Sequence, residues 1–336
     1  MNLKKMNVLF VIVIVLILCS LIFNSAFAEK KFLIAFSQST MNHPWRVTLT
    51  NDMKYWAEKM GVDFIWTDGN NEAANQLADC EDLIGKKPDV LILSPLQAKA
   101  LTPVVDMCNK AGVPLIVIDR RIEAEPGTGL YIAFIGLDQK KEGRACAEVI
   151  VKKLYDKFGE YKGNIVEIQG TIGSSTAIDM NKGFLEEIDK YPGIKVIASQ
   201  SGDYLRENAM KITEDWLQTF PKGQIDAVFA HNDEMGLGAL TAIKDAGRDE
   251  LIGCIGSVDG QVQALKAVLA GEYLVTVQEP PYFGESAIKV ALDYLKGNPI
   301  VTSQSVPFKV FHAQTAEARK MAEEYYNYLV ANDLMY

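Results

Sequence analysis

The residues with most chemistry to offer come in short groups, each following an apolar run. They are "NHPWR" (42–46), "DGN" (68–70), "DRR" (119–121), "QGTIGSS" (169–175), "SGDY" (201–204), "AHNDEM" (230–235), "SVDG" (257–260) and "VQEP" (277–280). Asp accepts hydrogen bonds, Arg donates them through a planar fork, and Asn and Gln do both. Carboxylates set against guanidiniums suit a neutral ligand rich in hydroxyls, which donate and accept at once. Rings such as Trp45 and Tyr204 suit the apolar C–H faces of such a ligand. The first group is informative by contrast. A nucleotide-binding turn would carry glycines there, and this chain carries an indole and a guanidinium.

Catalytic readings find little support. No GxGxxG follows the first apolar run. "GTIGSS" (170–175) lacks the Gly-Lys-Ser/Thr ending of a phosphate-binding loop. There is no GxSxG elbow. The three histidines, His43, His231 and His312, show no metal-ligand spacing. Asp119 stands beside Arg120, and Asp259 opens a predicted helix. Both settings suit a fixed acceptor better than a proton carrier. No catalytic residue, metal or cofactor is therefore expected. Plainer roles compete for some of these side chains. Trp45 also fits the core face of its helix, and Asp119–Arg120 a local ion pair. Asn232, Asp233 and Asp259 also fit helix N-caps.

Two kinds of element must position these groups. Apolar runs at 32–37, 62–67, 89–94, 114–118, 131–135, 163–168, 194–199, 225–230, 252–257, 274–277 and 305–311 read as strands. Amphipathic stretches at 45–60, 71–86, 100–111, 139–158, 177–190, 204–219, 233–246, 260–270, 283–296 and 315–330 read as helices and lie between nearly all of them. Near-continuous apolar strands alternating with helices predict parallel sheet covered on both faces. The βα units are too many for one ordinary open sheet, so the fold class is α/β with two similar doubly wound parallel-sheet lobes. Ligands of such sheets sit beyond the C-terminal strand ends, where the polar groups fall.

The chain opens with Lys4 and Lys5, an apolar stretch from Val8 to about Phe23, and Ala26-Phe27-Ala28. That order reads as a signal peptide cleaved after Ala28, which predicts export. Two other readings stand beside it: an uncleaved anchor, and lipid attachment at Cys19, against which the bulky Leu18 counts. Residues 29–336 exceed the ~100–200 residues of one domain, which favours two. The net charge of −9 argues against nucleic acid, which needs a basic face. Cys80, Cys108, Cys146 and Cys254 are widely spaced and read as buried thiols rather than disulfides.

Several segments together resemble a known family. "FSQSTMNHPWR", "VIDRRI", "VEIQGTIGSSTAID", "SQSGDYLRENA", "AHNDEMGLGALTAIKDAG" and "GSVDG" fall in its order and spacing, over about residues 31–315. The chain is similar to the periplasmic sugar-binding proteins of ABC importers, of the ribose-binding type, and most of all to their galactofuranose-binding branch. The resemblance implies a type I periplasmic binding protein. Its two lobes would be 29–136 with 279–303, and 137–278 with 304–336. A three-segment hinge would cross near Leu137, near Glu279 and within 301–305. It implies a monomer that closes on a monosaccharide and is recognised by a membrane permease. Carried over by position, the ligand contacts are Asn42, His43, Trp45, Arg46, Asp119, Arg120, Tyr204, Asn232, Asp259 and Gln278. Met180 stands where the galactofuranose branch has an Arg, so it is expected as an apolar patch in the pocket wall. Arg46 stands where ribose-type relatives have an aromatic, and "NHP" replaces an acidic residue followed by small ones.

Overall fold

Leu33–Gln38 (β1) and Asp63–Asp68 (β2) run parallel, and β1 pairs on its other edge with Val90–Ser94 (β3). Leu115–Ile118 (β4), Tyr131–Gly136 (β5) and Ser303–Ser305 (β11) complete a first sheet of order β11-β5-β4-β3-β1-β2. The computed structural model describes residues 31–334 and 336. The readings placed on residues 1–28 lie outside them. β3, β4 and β5 are buried along their whole length, the pattern of strands covered on both faces.

The covering helices are Pro44–Lys59 (α1), Ala73–Gly85 (α2), Ala98–Leu101 (α3) and Val104–Ala111 (α4). Pro44 occupies the first helical position of α1, where its missing N–H costs nothing.

The second lobe repeats the plan. Its strands are Lys162–Gln169 (β6), Gly193–Ser201 (β7), Ala227–Ala230 (β8), Ile255–Asp259 (β9), Val275–Gln278 (β10) and Val310–His312 (β12). Their order, β12-β10-β9-β8-β6-β7, matches the first sheet strand for strand. The one difference is at the edge: β11 pairs parallel with β5, whereas β12 pairs antiparallel with β10. Its helices are Gln139–Phe158 (α5), Ser175–Ile188 (α6), Arg206–Thr219 (α7), Asp233–Asp245 (α8), Val262–Ala270 (α9) and Ala316–Ala331 (α11). Gly284–Leu295 (α10) returns to the first lobe and docks on α1, where the Gly284 amide donates to Asp52 Oδ2 over 2.6 Å.

The chain passes between sheets at 137–138, at 279–283 and at 306–309. β11 still belongs to the first sheet, so the last passage falls beyond the 303/304 boundary that the sequence suggested. The predicted strand at 305–311 is in fact two short strands in different sheets, parted by a stretch that contains Pro307. All four cysteines in the described residues are buried and free. No helix among the described residues is long and apolar enough to cross a membrane.

Candidate functional site

Both sheets aim their C-terminal strand ends at one cavity between the lobes. From the first lobe, the β1–α1 turn delivers His43, the first turn of α1 delivers Trp45 and Arg46, and the end of β4 delivers Asp119 and Arg120. Gln38 at the end of β1 fixes the turn, because its Nε2 donates to Arg46 O at 3.3 Å and Thr50 Oγ1 at 3.0 Å. Arg46 is braced on three sides. Its Nη2 lies 2.7 Å from Asp119 Oδ2, its Nη1 donates to Ser94 Oγ at 2.7 Å, and its guanidinium lies 4.7 Å from the Trp45 ring centre. The Trp45 indole donates to Glu279 O at 2.7 Å. Arg120 donates to Leu96 O at 3.1 Å, and its guanidinium lies 5.1 Å from the ring centre of Tyr204 in the other lobe.

The second lobe contributes Thr176 from the first turn of α6, Tyr204 after β7, Asn232 after β8 and Asp259 at the end of β9, with Glu279 from the second passage. Asn232 caps α8, its Oδ1 accepting the Met235 amide at 2.9 Å. The plainer role weighed for it is thus present, and the residue lines the cavity as well. Three lining residues have left-handed or otherwise unusual backbones: Asp119 (φ 63°), Tyr204 (φ 61°) and Asp259 (φ 126°). Each such residue costs of order 1–3 kcal/mol, and strain of this kind collects at ligand sites.

Besides the Tyr204 hydroxyl, four buried polar atoms on the lining have no hydrogen-bond partner among the described residues: His43 Nδ1, Arg46 Nε, Arg120 Nε and Thr176 Oγ1. Buried polar groups are almost always hydrogen-bonded, so these four mark a surface built to meet polar groups of a ligand. Burial, reinforced by Arg46 and Arg120, holds the His43 imidazole well below its usual range, so it is neutral at pH 7. Burial and then Arg46 bring Arg120 down to about 10, which leaves it charged. Burial and then Asp119 raise Glu279 to about 7. Burial, followed by Asp233 and Glu279, holds Asp259 well above the carboxylate range and so favours its protonated form. The lining thus offers cations, an ion-paired carboxylate, acids that burial makes reluctant to ionise, and aromatic faces together. Among the described residues no group of His, Cys, Asp and Glu could hold a metal ion.

Three of the sequence-predicted contacts lie elsewhere. Met180 is fully buried in the second-lobe core with Cys146, Ile150, Phe184 and Phe229, so it is not a pocket wall. It lies one helical turn, about 6 Å, below Thr176 on α6, and Thr176 takes the position at the cavity. Asn42 is exposed on the β1–α1 turn. Gln278 is not on the lining, whereas its neighbour Glu279 is. A one-residue shift at a strand end reverses the side a residue faces, and the matched motif could not fix that register. Thr176 lay inside the quoted "GTIGSSTAID" segment, but nothing in its residue type marked it out.

The lobes meet around the cavity. The Ala98 amide donates to Gly173 O at 3.0 Å, and Gln97 Nε2 donates to Ile172 O at 3.0 Å. Asn71 Nδ2 reaches Asp203 Oδ2 at 2.7 Å, the Arg121 amide reaches Ser175 Oγ at 2.7 Å, and Arg121 pairs with Asp179. All five contacts join residues of different lobes, so the cleft is closed.

Comparison with known proteins agrees with this architecture. The family model described as a periplasmic binding protein domain matches residues 34–299. The ribose import binding protein of Bacillus subtilis is 35% identical over 283 residues, which cover 84% of this chain and 88% of that one. The galactofuranose-binding protein of Escherichia coli is 34% identical, over 78% of this chain and 82% of its own. A solved structure from Mycobacterium smegmatis in complex with β-D-fucofuranose superposes with a TM-score of 0.80 at 32% identity, covering 89% of this chain and 97% of that one. With two parallel-sheet lobes of like order and a match over most of its length, the chain belongs to the periplasmic binding protein family and has its type I fold.

Proposed function

We propose that this protein is an extracytoplasmic solute-binding protein that captures a neutral monosaccharide between its lobes and delivers it to an ABC permease. The observation that carries the reading is the interlobe cavity, where Arg46–Asp119 and Arg120 face Asp259 and Glu279 beside Trp45 and Tyr204. Ring hydroxyls would pair with these groups and with the free atoms of His43 and Thr176, and the two aromatic faces would cover the C–H surface. The sugar leaves chemically unchanged, because each carboxylate acts as a hydrogen-bond partner and none as a nucleophile or base. Relatives named for galactofuranose and solved with fucofuranose support a furanose ligand, with galactofuranose the first candidate. The two lobes act as the moving bodies, and the passages at 137–138, 279–283 and 306–309 as the hinge. Export through a signal peptide cleaved after Ala28 completes the reading and places the protein in the periplasm.

Mass spectrometry of the ligand that co-purifies from the native host tests the reading directly. A calorimetric panel of galactose, arabinose, ribose, xylose, glucose, fructose, inositol and galacturonate then ranks the candidates. Tight binding of a neutral sugar is expected, with a smaller radius of gyration by small-angle scattering once it is bound. Tight binding of galacturonate alone, or recovery of a chemically altered sugar, overturns the proposal. N-terminal sequencing should find Glu29.

A further inference from the structure

Tyr336 does not line the cavity, yet its hydroxyl donates to the carbonyl oxygen of Asp259, which does, over 2.9 Å. That oxygen also accepts the Glu279 amide at 2.9 Å. Asp259 is a residue that needs holding. Its φ of 126° is one that side-chain-bearing residues rarely adopt, and Gly260 follows at 77°. Its carboxyl is tethered by the Asp233 backbone amide and, weakly, by Gln261 Nε2 at 3.4 Å. The backbone of Asp259 itself helps to set where that carboxyl points. The amides just beyond it are fixed as well, Gly260 N to Thr276 Oγ1 at 3.0 Å and Gln261 N to Asp233 Oδ2 at 2.7 Å.

Tyr336 is itself seated on the second passage between the lobes. Its ring meets Tyr282 edge-on, with centres 5.9 Å apart and planes at 85°. The Tyr282 hydroxyl donates to Leu334 O at 2.8 Å. Tyr282 lies within 279–283, three residues from Glu279, whose amide shares the Asp259 carbonyl. One phenol thus touches the loop that carries a lining acid and the chain segment that joins the lobes.

We propose that Tyr336 is a positioning residue for the cleft: its hydroxyl holds the Asp259 backbone so that the carboxyl faces the ligand, and its ring ties that loop to the second passage. The effect on ligand rests on the sugar-binding reading above. The hold on Asp259 does not.

The test uses the full exported chain and compares Tyr336→Phe, which keeps the ring, with Tyr328→Phe, a change at an exposed tyrosine. Hydrogen exchange on the sugar-free protein reads the hold itself. Amides of 259–261 and of Glu279 should exchange faster in Tyr336→Phe and as in wild type in Tyr328→Phe. Titration with D-galactose, L-arabinose and D-ribose reads the consequence. Affinity for whichever binds should fall about five- to tenfold in Tyr336→Phe, the worth of one hydrogen bond. The melting temperature should move by no more than about 2 °C. On an Asp259→Asn background the same change should alter affinity by less than about twofold, because the two act through one group. Unchanged exchange at 259–261 overturns the proposal. So does a loss of affinity that is equal in both backgrounds or that tracks a fall in melting temperature. If wild type binds none of the three sugars, the sugar reading fails, and the exchange data still decide the positioning claim.

Discussion

Asp119 Oδ2 lies 2.7 Å from Arg46 Nη2 and 3.8 Å from Arg120 Nε, with Ser94 Oγ at 3.3 Å. One carboxylate therefore orients two guanidiniums on the lining. Asp119→Asn should weaken sugar binding by ~2–5 kcal/mol, since it leaves buried charge without its partner. Calorimetry checks this, and affinity within about tenfold of wild type, some 1.4 kcal/mol, would remove Asp119 from the grip. Met180 carries the opposite prediction. At 0% exposure among Phe184 and Phe229, Met180→Arg should destabilise the fold by ~3–5 kcal/mol as an unpaired buried charge. Met180→Leu should cost less than about 1.5 kcal/mol. Melting curves separate the two. These residues also mark what was legible. Trp45, Arg46, Asp119 and Asp259 were readable because each has a chemically loaded type at a strand end or in the first turn after one. Thr176 and Glu279 were not, because their place depends on helix phase and strand register, which side-chain chemistry does not encode.

At the scale of elements, the contact between α5 and α6 decides how the second lobe is built. A Cβ on Gly143 would strike the Met180 carbonyl oxygen, and one on Gly183 would strike the Lys140 carbonyl oxygen. The helices approach backbone to backbone, which seats Met180 in the core and lifts Thr176 to the cavity. Gly183→Ala should force them apart and cost ~1–3 kcal/mol, the usual price of overpacking. Gly85→Ala, at the end of α2 with open space around it, should instead stabilise by ~0.4–1 kcal/mol. Urea melts of both check the pair. The apolar runs located the strands well, since strands buried on both faces leave an unbroken signal. Boundaries set by proline were less legible. The predicted helix at 100–111 is two, α3 and α4, parted at Thr102–Pro103, because proline cannot donate to the turn before it. Pro307 lies likewise within the passage that divides the predicted strand at 305–311.

Across the whole molecule, buried acids set how stability should respond to pH. Burial raises Asp52 to about 6, against the opposing hydrogen bond from Gly284, and raises Asp233 and Glu279 to about 7. Each holds its proton more tightly folded than unfolded, where the value is 3.8 for Asp and 4.5 for Glu. Their contribution is complete below those unfolded values and is lost as pH rises through 6 to 7. Glu167 behaves in the reverse sense. Burial alone would raise it, but hydrogen bonds and charge from His231, with Asn181 and Gln169, bring it down to about 2. Its oxygens are fully engaged: Oε1 meets His231 Nε2 at 3.0 Å, and Oε2 accepts Ser199 Oγ at 2.7 Å. That contribution is present above 4.5 and is lost as pH falls toward 2. The sugar-free protein should therefore melt highest near pH 4–5, at lower temperature by pH 8, and lower again toward pH 2. Calorimetric melts across that range check the shape. Glu167→Gln should flatten the acid limb while leaving the fall above pH 5 in place, and Asp52→Asn should shrink the fall between about pH 4 and 6. A melting temperature that is level from pH 5 to 8 would mean that water reaches these acids in solution. The lobes would then stand further apart than the closed cleft described here, since Glu279 lies between them.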